Sequence, residues 1–296
     1  MSKNRIRYFV DGFARAAFAT AALLSVAILL GIFIMLLYNG AKTFEEIPLS
    51  AFFFSTEWNP SAYGEPAFGV LSMVASTLLV TLGAMIIAVP LGVGAAAYLS
   101  EVASERVREV LKPMIELLAA IPSVAVGFIG IVLVGPFLSR TFGLSNGLNA
   151  LNGSILLAVM SLPTIITVAE DAIRSVPQSF KEASYALGGN AWTTLVRITL
   201  PASASGIIAA VVLGMGRAIG ETMTVLMACG NSTGFPEGFF SPVRTMTATI
   251  AIELGEVPFG TTHYFSLFAV GALLFVLSLG FNLIAERIAA HYRYTI

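Results

Sequence analysis

Residues 175–206 read SVPQSFKEASYALGGNAWTTLVRITLPASASG, and they stand apart from what flanks them. Before them runs SILLAVMSLPTIITVAEDAI and after them IIAAVVLGMG, both almost wholly apolar. The stretch itself is charged and amphipathic. Gln178–Leu187 can form a short helix, and Gly188 and Gly189 supply the permissive backbone that ends it. Ala191–Leu200 can form a second short helix, closed by Pro201. Two short helices joined by a glycine turn make a compact knob between two greasy segments. Such a knob can fit a groove on a soluble partner and transmit its motion to the segments on either side.

The composition says what those segments are. Of 296 residues, 57% are hydrophobic and only 11% charged. Soluble domains carry roughly 25% charged residues, so a soluble fold of this chain would lack the polar surface to face water. The membrane is its solvent. A net charge of -1 leaves no basic excess for nucleic acid. The single cysteine, Cys229, excludes an intrachain disulfide, and His263 and His291 are isolated and lack metal-ligand spacing.

A crossing helix needs about 20 apolar residues. Six stretches qualify: Phe18–Tyr38, Gly69–Leu99, Met114–Leu138, Ser154–Ile173, Gly206–Gly230 and Tyr264–Ala285. The first is too long for a signal peptide and lacks a small-x-small cleavage site, so it reads as a retained helix. Positive charge sets the orientation. Lys3, Arg5, Arg7 and Arg15 precede the first span. Arg106, Arg108 and Lys112 follow the second, Arg174, Lys181 and Arg197 the fourth, and Arg287 and Arg293 the last. The opposite segments hold Lys42, Arg140 and Arg244. The expectation is an all-α membrane protein of six spans with both termini cytoplasmic. Residues 1–17 form a cytoplasmic arm and 18–296 one transmembrane domain. Loops at about 39–68 and 231–263 lie outside, and the knob loop, about 174–205, lies inside.

Smaller features carry expectations too. Pro90 and Pro122, inside apolar runs, read as kinks. Glu116, Glu170 and Asp171 sit near cytoplasmic span ends and reach the interface. The acidic first loop carries WNPSAYGEP, whose tryptophan reads as an interface anchor, and the loop is long enough to meet a partner. In the last outer loop, PVRTMTATIAIELGE (Pro242–Glu256) suggests a short helix lying at the outer surface, with Arg244 a surface arginine.

One charged pair falls inside a span. GMGRAIGETM, Gly214–Met223, places Arg217 and Glu221 four residues apart. A lone charge at the bilayer centre costs about 2.5–3.5 kcal/mol on insertion scales. On one helix the two side chains can meet, which offsets part of that cost. Gly216 and Gly220 permit close helix approach. One reading is an ion pair that locks helices together. The other is that Arg217 faces a pathway and meets an anion, since its planar donors suit an oxyanion, while Glu221 orients it between passages.

Two resemblances sharpen this. EASYALG, then nine residues, then ITLP resembles the EAA loop of ABC-importer permeases, with Glu182, Ala183, Gly188, Ile198, Leu200 and Pro201 at the signature positions and Ser184 in place of the usual third-position alanine. The resemblance implies a type I importer permease bundle whose loop docks into a separate ATP-binding subunit. This chain has no GxxxxGK[ST] phosphate loop, so ATP and Mg belong to that partner, and no cofactor is expected here. GRAIGETM with MACGN and TATIAIELGE, and in the N-terminal half FFFSTEWNP, FGVLSMVASTLLVT and VPLGVGAAAYLSEVA, are similar to the PstC family of phosphate-importer permeases. That implies translocation of inorganic phosphate across the bacterial cytoplasmic membrane by alternating access. It implies as partners a PstA-like second permease, two ATP-binding subunits and a periplasmic phosphate-binding protein, with Arg217 and Glu221 on the substrate pathway.

Alternatives share much of this pattern. A permease for molybdate, sulfate or a phosphonate would carry the same knob, and a phosphate-sensing scaffold could use the same subunit. An intramembrane enzyme would need a nucleophile with its base or a metal cluster, and no HExxH, GxSxG or cysteine cluster occurs.

Overall fold

The computed structural model describes residues 2–61 and 65–291, with side chains from residue 12 to 290 of these. Lys3, Arg5, Arg7, His291, Arg293 and the middle of WNPSAYGEP therefore lie outside the described residues or side chains. Among the described residues the regular structure is helical apart from a two-stranded hairpin and a single bridge between Gly230 and Val243. In order come α1 (Ser2–Lys42), α2 (Leu49–Phe54), the strands β1 (Trp58–Asn59) and β2 (Ala67–Phe68), α3 (Leu71–Glu101) and α4 (Glu105–Ala119). Then follow α5 (Ser123–Ile129), a wide turn at Gly130–Val134, α6 (Gly135–Phe142) and α7 (Ala150–Arg174). The knob holds α8 (Gln178–Ala186), α9 (Ala191–Thr194), a second wide turn at Leu195–Thr199 and α10 (Leu200–Ala202). Last are α11 (Ala204–Gly220), α12 (Met223–Ala228), α13 (Met246–Glu253) and α14 (Thr262–His291).

Among the described residues, five helical stretches are long and apolar enough to cross a membrane, and the count is six when a bent pair is taken as one span. The five are Gly12–Thr43, Leu71–Glu101, Ser123–Phe142, Ala150–Arg174 and Thr262–Ala290. The bent pair is Ala191–Ala202 with Ala204–Gly220, turned by 70°. The second, fourth and sixth crossings match the sequence expectation to a few residues.

The third crossing does not begin at Met114. α4 is a separate amphipathic helix that buries none of its residues. It ends before Pro122, whose ring disfavours helical backbone at Ile121, and the apolar run restarts at Ser123. Pro122 thus marks a break between helices. Pro90, by contrast, lies within the unbroken α3.

The centre of the bundle is α7, packed most extensively on α3 and next on α11. The fit depends on missing side chains. Ile165 of α7 is fully buried. A Cβ on Gly92 of α3 would lie 2.6 Å from its Cγ2, and one on Gly214 of α11 would lie 2.5 Å from its Cγ1. One branched side chain therefore seats between two glycines, and small residues let membrane helices approach closely where no water drives them together. Hydroxyls add bonds between helices. Ser154 Oγ donates to the Val80 carbonyl at 3.1 Å, and Ser161 Oγ to the Gly214 carbonyl at 3.3 Å.

α1 stands outside this centre. It packs on α14, with the Phe33 and Phe275 rings 4.7 Å apart. Leu23, Leu24, Leu29 and Ile34 are exposed, as suits side chains that face lipid.

Candidate functional site

The fifth crossing is where structure and sequence expectation part. It does not run from Gly206 to Gly230 as one helix. α11 stops at Gly220, Glu221 is extended (φ -69, ψ 133), and α12 restarts at Met223. Arg217 and Glu221 are thus not one turn apart on a helix, and they form no ion pair. Gly220 has open space around it and allows the chain to turn. The broken ladder is repaired locally, as buried backbone groups require. Thr247 Oγ1 donates to the Glu221 carbonyl at 2.8 Å, and the Glu221 carboxylate accepts the Thr224 N–H at 3.3 Å. Glu221 is therefore a local cap for α12.

Arg217 is left with one polar side-chain partner, the Thr164 hydroxyl of α7, at 3.5 Å. It is half-buried, near the broken end of α11. Around it the backbone is irregular and hydroxyl-rich: Thr222 lies in the break, and Thr245 and Thr247 share a hydrogen bond of 3.0 Å at the start of α13. Non-helical backbone at membrane depth persists where it is buried in protein or lines a cavity.

α13 was expected to lie on the outer surface, and it does not. Met246, Thr247, Ala248 and Thr249 are buried, so the helix dips into the bundle and its hydroxyls bond the break in the fifth crossing. Its last residue, Glu253, collects three partners the sequence did not connect. Trp58 Nε1 lies 3.0 Å from Oε2, Arg244 Nη1 2.8 Å from Oε1, and His263 Nε2 2.8 Å from Oε2. Trp58 is buried, so it is no interface anchor, and neither Arg244 nor His263 is isolated. The four residues line a cavity of about 750 Å³ at the loop end remote from the knob. Arg244 and His263 lie nine and ten positions from Glu253, and Trp58 lies 195 positions away, a separation that no local pattern bridges. Among the described residues no group of acidic, cysteine and histidine side chains is arranged to hold a metal.

The knob forms as expected in outline. α8 ends at a left-handed Gly188 (φ 83), where the Gly188 N–H meets the Tyr185 carbonyl at 2.9 Å and the Gly189 N–H the Ser184 carbonyl at 2.9 Å. That is the paired bonding of a glycine-terminated helix. Pro201 does not close the second helix, which carries on to Ala202 and bends at Ser203. Pro201 follows the wide turn at Leu195–Thr199, where the regular hydrogen-bond ladder is already interrupted. Glu182, Ala183, Gly188 and Pro201 are exposed, while Ile198 and Leu200 are half-buried. Leu200 packs against a core of Ala96, Ala169, Ile173, Leu195 and Ala210, where three spans meet. Leu187 is 90% exposed and Trp192 72%.

Two ion-pair clusters flank the knob. Lys181 Nζ lies 2.6 Å from Glu101 Oε1 at the end of α3. Glu170, expected at the interface, is fully buried instead, with Lys112 Nζ 3.0 Å and Arg174 Nη1 3.7 Å from its carboxylate. Asp171 is exposed and reaches Lys112 at 3.4 Å, and Glu116 is exposed.

Residues 88–294 match a family described as the binding-protein-dependent transport system inner membrane component. The chain belongs to that family. This inner membrane component is 37% identical, over 98% of its length and 94% of the relative's, to the probable ABC transporter permease protein YqgH of Bacillus subtilis (strain 168). It is 33% identical, over 90% of its length and 86% of the relative's, to the phosphate transport system permease protein PstC of Mesorhizobium japonicum. Its fold resembles that of a bacterial ABC transporter involved in the import of the acidic polysaccharide alginate, with a TM-score of 0.62 and 17% identity over 94% of this chain and 96% of that one. It is a multi-pass permease subunit of an ABC importer, and its work is transport, not catalysis.

Proposed function

We propose that this permease moves inorganic phosphate inward across the cytoplasmic membrane by alternating access, with Arg217 on the pathway. The observation that supports this most is the state of Arg217. It is a guanidinium on a spanning helix, half-buried, with no carboxylate in ion-pair reach among the described residues and one hydroxyl at 3.5 Å. A charge so placed costs about 2.5–3.5 kcal/mol unless something compensates it. A passing oxyanion would do so with two parallel hydrogen bonds. Glu221, held as a cap beside it, keeps negative potential near the site and favours release. Relatives named as phosphate transport permeases support phosphate over other oxyanions.

The partners we infer are a PstA-like second permease that completes the pathway, two ATP-binding subunits that hold ATP and Mg, and a periplasmic phosphate-binding protein. Docking of the ATPase falls to the knob. Glu182, Ala183, Gly188 and Pro201 face outward there, Ile198 and Leu200 root it, and exposed Leu187 and Trp192 offer apolar anchors.

The test is uptake of labelled phosphate at micromolar concentration in cells lacking only this subunit, then restored with it. Uptake that returns with the gene and resists excess sulfate or molybdate is the expected result. Uptake indifferent to the gene would overturn phosphate as the substrate and point to another oxyanion.

A further inference from the structure

We propose that the Lys181–Glu101 ion pair is the strut through which movement of the α8 knob reaches α3. The proposal rests on the reading that an ATPase docks on α8. That helix buries none of its residues. Among the described side chains, two bonds leave it: Lys181 to Glu101 at 2.6 Å, and Ser184 Oγ to Thr194 Oγ1 at 2.8 Å. The second stays within the knob, tying α8 to α9. Only the first crosses to another span.

The pair is built to bear load. Lys181 and Glu101 side chains are 13% and 17% exposed, so solvent and salt screen them less than a surface pair. Ser100 Oγ donates to the same Glu101 oxygen at 3.2 Å and orients it. Glu101 is the last residue of α3, the helix packed along the full face of α7. A force on its end therefore moves a long rigid element. The covalent route from the knob to α11 passes through the 70° bend at Ser203, a joint that can flex. With the strut, α8 and α3 are driven together. Without it, α8 is joined to α3 only through the knob's second half, where Leu195 and Leu200 pack on Ala96 and Ala97, and α8 can turn about that contact. Lys181 touches no substrate in this scheme and is a positioning residue.

The test uses the assembled complex in proteoliposomes, with spin labels at Ser179→Cys on α8 and Leu91→Cys on α3, both exposed positions. Adding ATP with vanadate should leave one narrow inter-label distance when Lys181 is intact. Lys181→Ala should broaden it and lower phosphate carried per ATP hydrolysed by roughly fivefold, a coupling of the size contacting residues share. The ATPase should still co-purify, and exchanging the charges, Lys181→Glu with Glu101→Lys, should restore both readings. A merely structural brace would change the amount of complex but not the distance or the ratio per complex. An unchanged distance in Lys181→Ala, or no recovery on exchange, overturns the strut. Normal ATPase co-purification with Glu182→Lys overturns the docking reading itself, and the strut with it.

Discussion

Arg217 shows how much one backbone turn decides. Were α11 to continue past Gly220, Glu221 would neutralise it, and the pair could serve only to lock helices. The break directs the carboxylate to the Thr224 N–H and leaves the guanidinium to Thr164. Arg217→Gln should abolish phosphate uptake while the complex still assembles, because no internal ion pair is lost. Arg217→Lys should recover little, since an ammonium offers no planar fork. Loss of assembly, read by co-purification of the partner subunits, would mark Arg217 as a packing residue instead. The sequence made both residues legible as charges at membrane depth. Their separation was not legible, because helix periodicity assumes a continuous helix, and the break is stabilised by Thr247, 26 positions away.

At the scale of the element, the glycine turn and the amphipathic helices make separate predictions. Gly188 sits at φ 83, a conformation that a branched side chain adopts at a cost of about 1–2 kcal/mol. Gly188→Val should weaken co-purification of the ATPase while the spans stay inserted, and Gly188→Asn should be milder, since asparagine tolerates left-handed backbone. α4 is held differently. It buries nothing of its own and is pinned through Lys112 to Glu170 and Asp171 of α7. Burial works to lower the Lys112 ammonium. The hydrogen bond and charge of Glu170, with those of Asp171, outweigh it and hold the group above its ordinary 10.5. A raised value in the folded state means that the pin's contribution is fully present below pH 10.5 and is lost as pH rises through the raised value. Protease cleavage in the Val102–Ser104 turn before α4 should therefore stay constant through neutral pH and rise only above that range. Lys112→Met should make it rapid at neutral pH. The amphipathic pattern of α4 was present in the sequence, but its last residues, Met114–Ala119, were absorbed into the third span, because hydropathy alone does not register the break at Pro122.

For the whole molecule, the end remote from the knob is tied by Glu253. It joins the hairpin of the first loop, the segment before α13, and the start of α14 through Trp58, Arg244 and His263. Removing one partner of a shielded, hydrogen-bonded charge cluster costs more than any one bond in it is worth, because the remaining charges lose their compensation. Glu253→Ala should loosen the loop around Trp58, seen as faster proteolysis there and a red-shifted tryptophan emission, while the knob still retains the ATPase. Most crossings and the knob were readable from hydropathy and motif spacing, since each is local or additive along the chain, whereas the break before the third and the bend and break in the fifth were not. The Glu253 cluster was not readable either, because Arg244, Glu253 and His263 lie nine and ten positions apart across a turn with no repeating pattern, and Trp58 lies 195 positions away.

The packing of α1 on α14 has a consequence for how the protein is made. α1 leaves the ribosome before every other helix described, and its main partner, α14, leaves after all of them. Throughout synthesis α1 has only lipid, or whatever escorts it, to rest against. The contact that finally holds it is close: a Cβ on Gly40 would lie 3.0 Å from the Cα of Ala269. Its attachment thus reports that synthesis has passed α14. A product halted before α14 would present an unclaimed helix in the bilayer, a mark by which membrane quality control could tell a chain without α14 from one that has it.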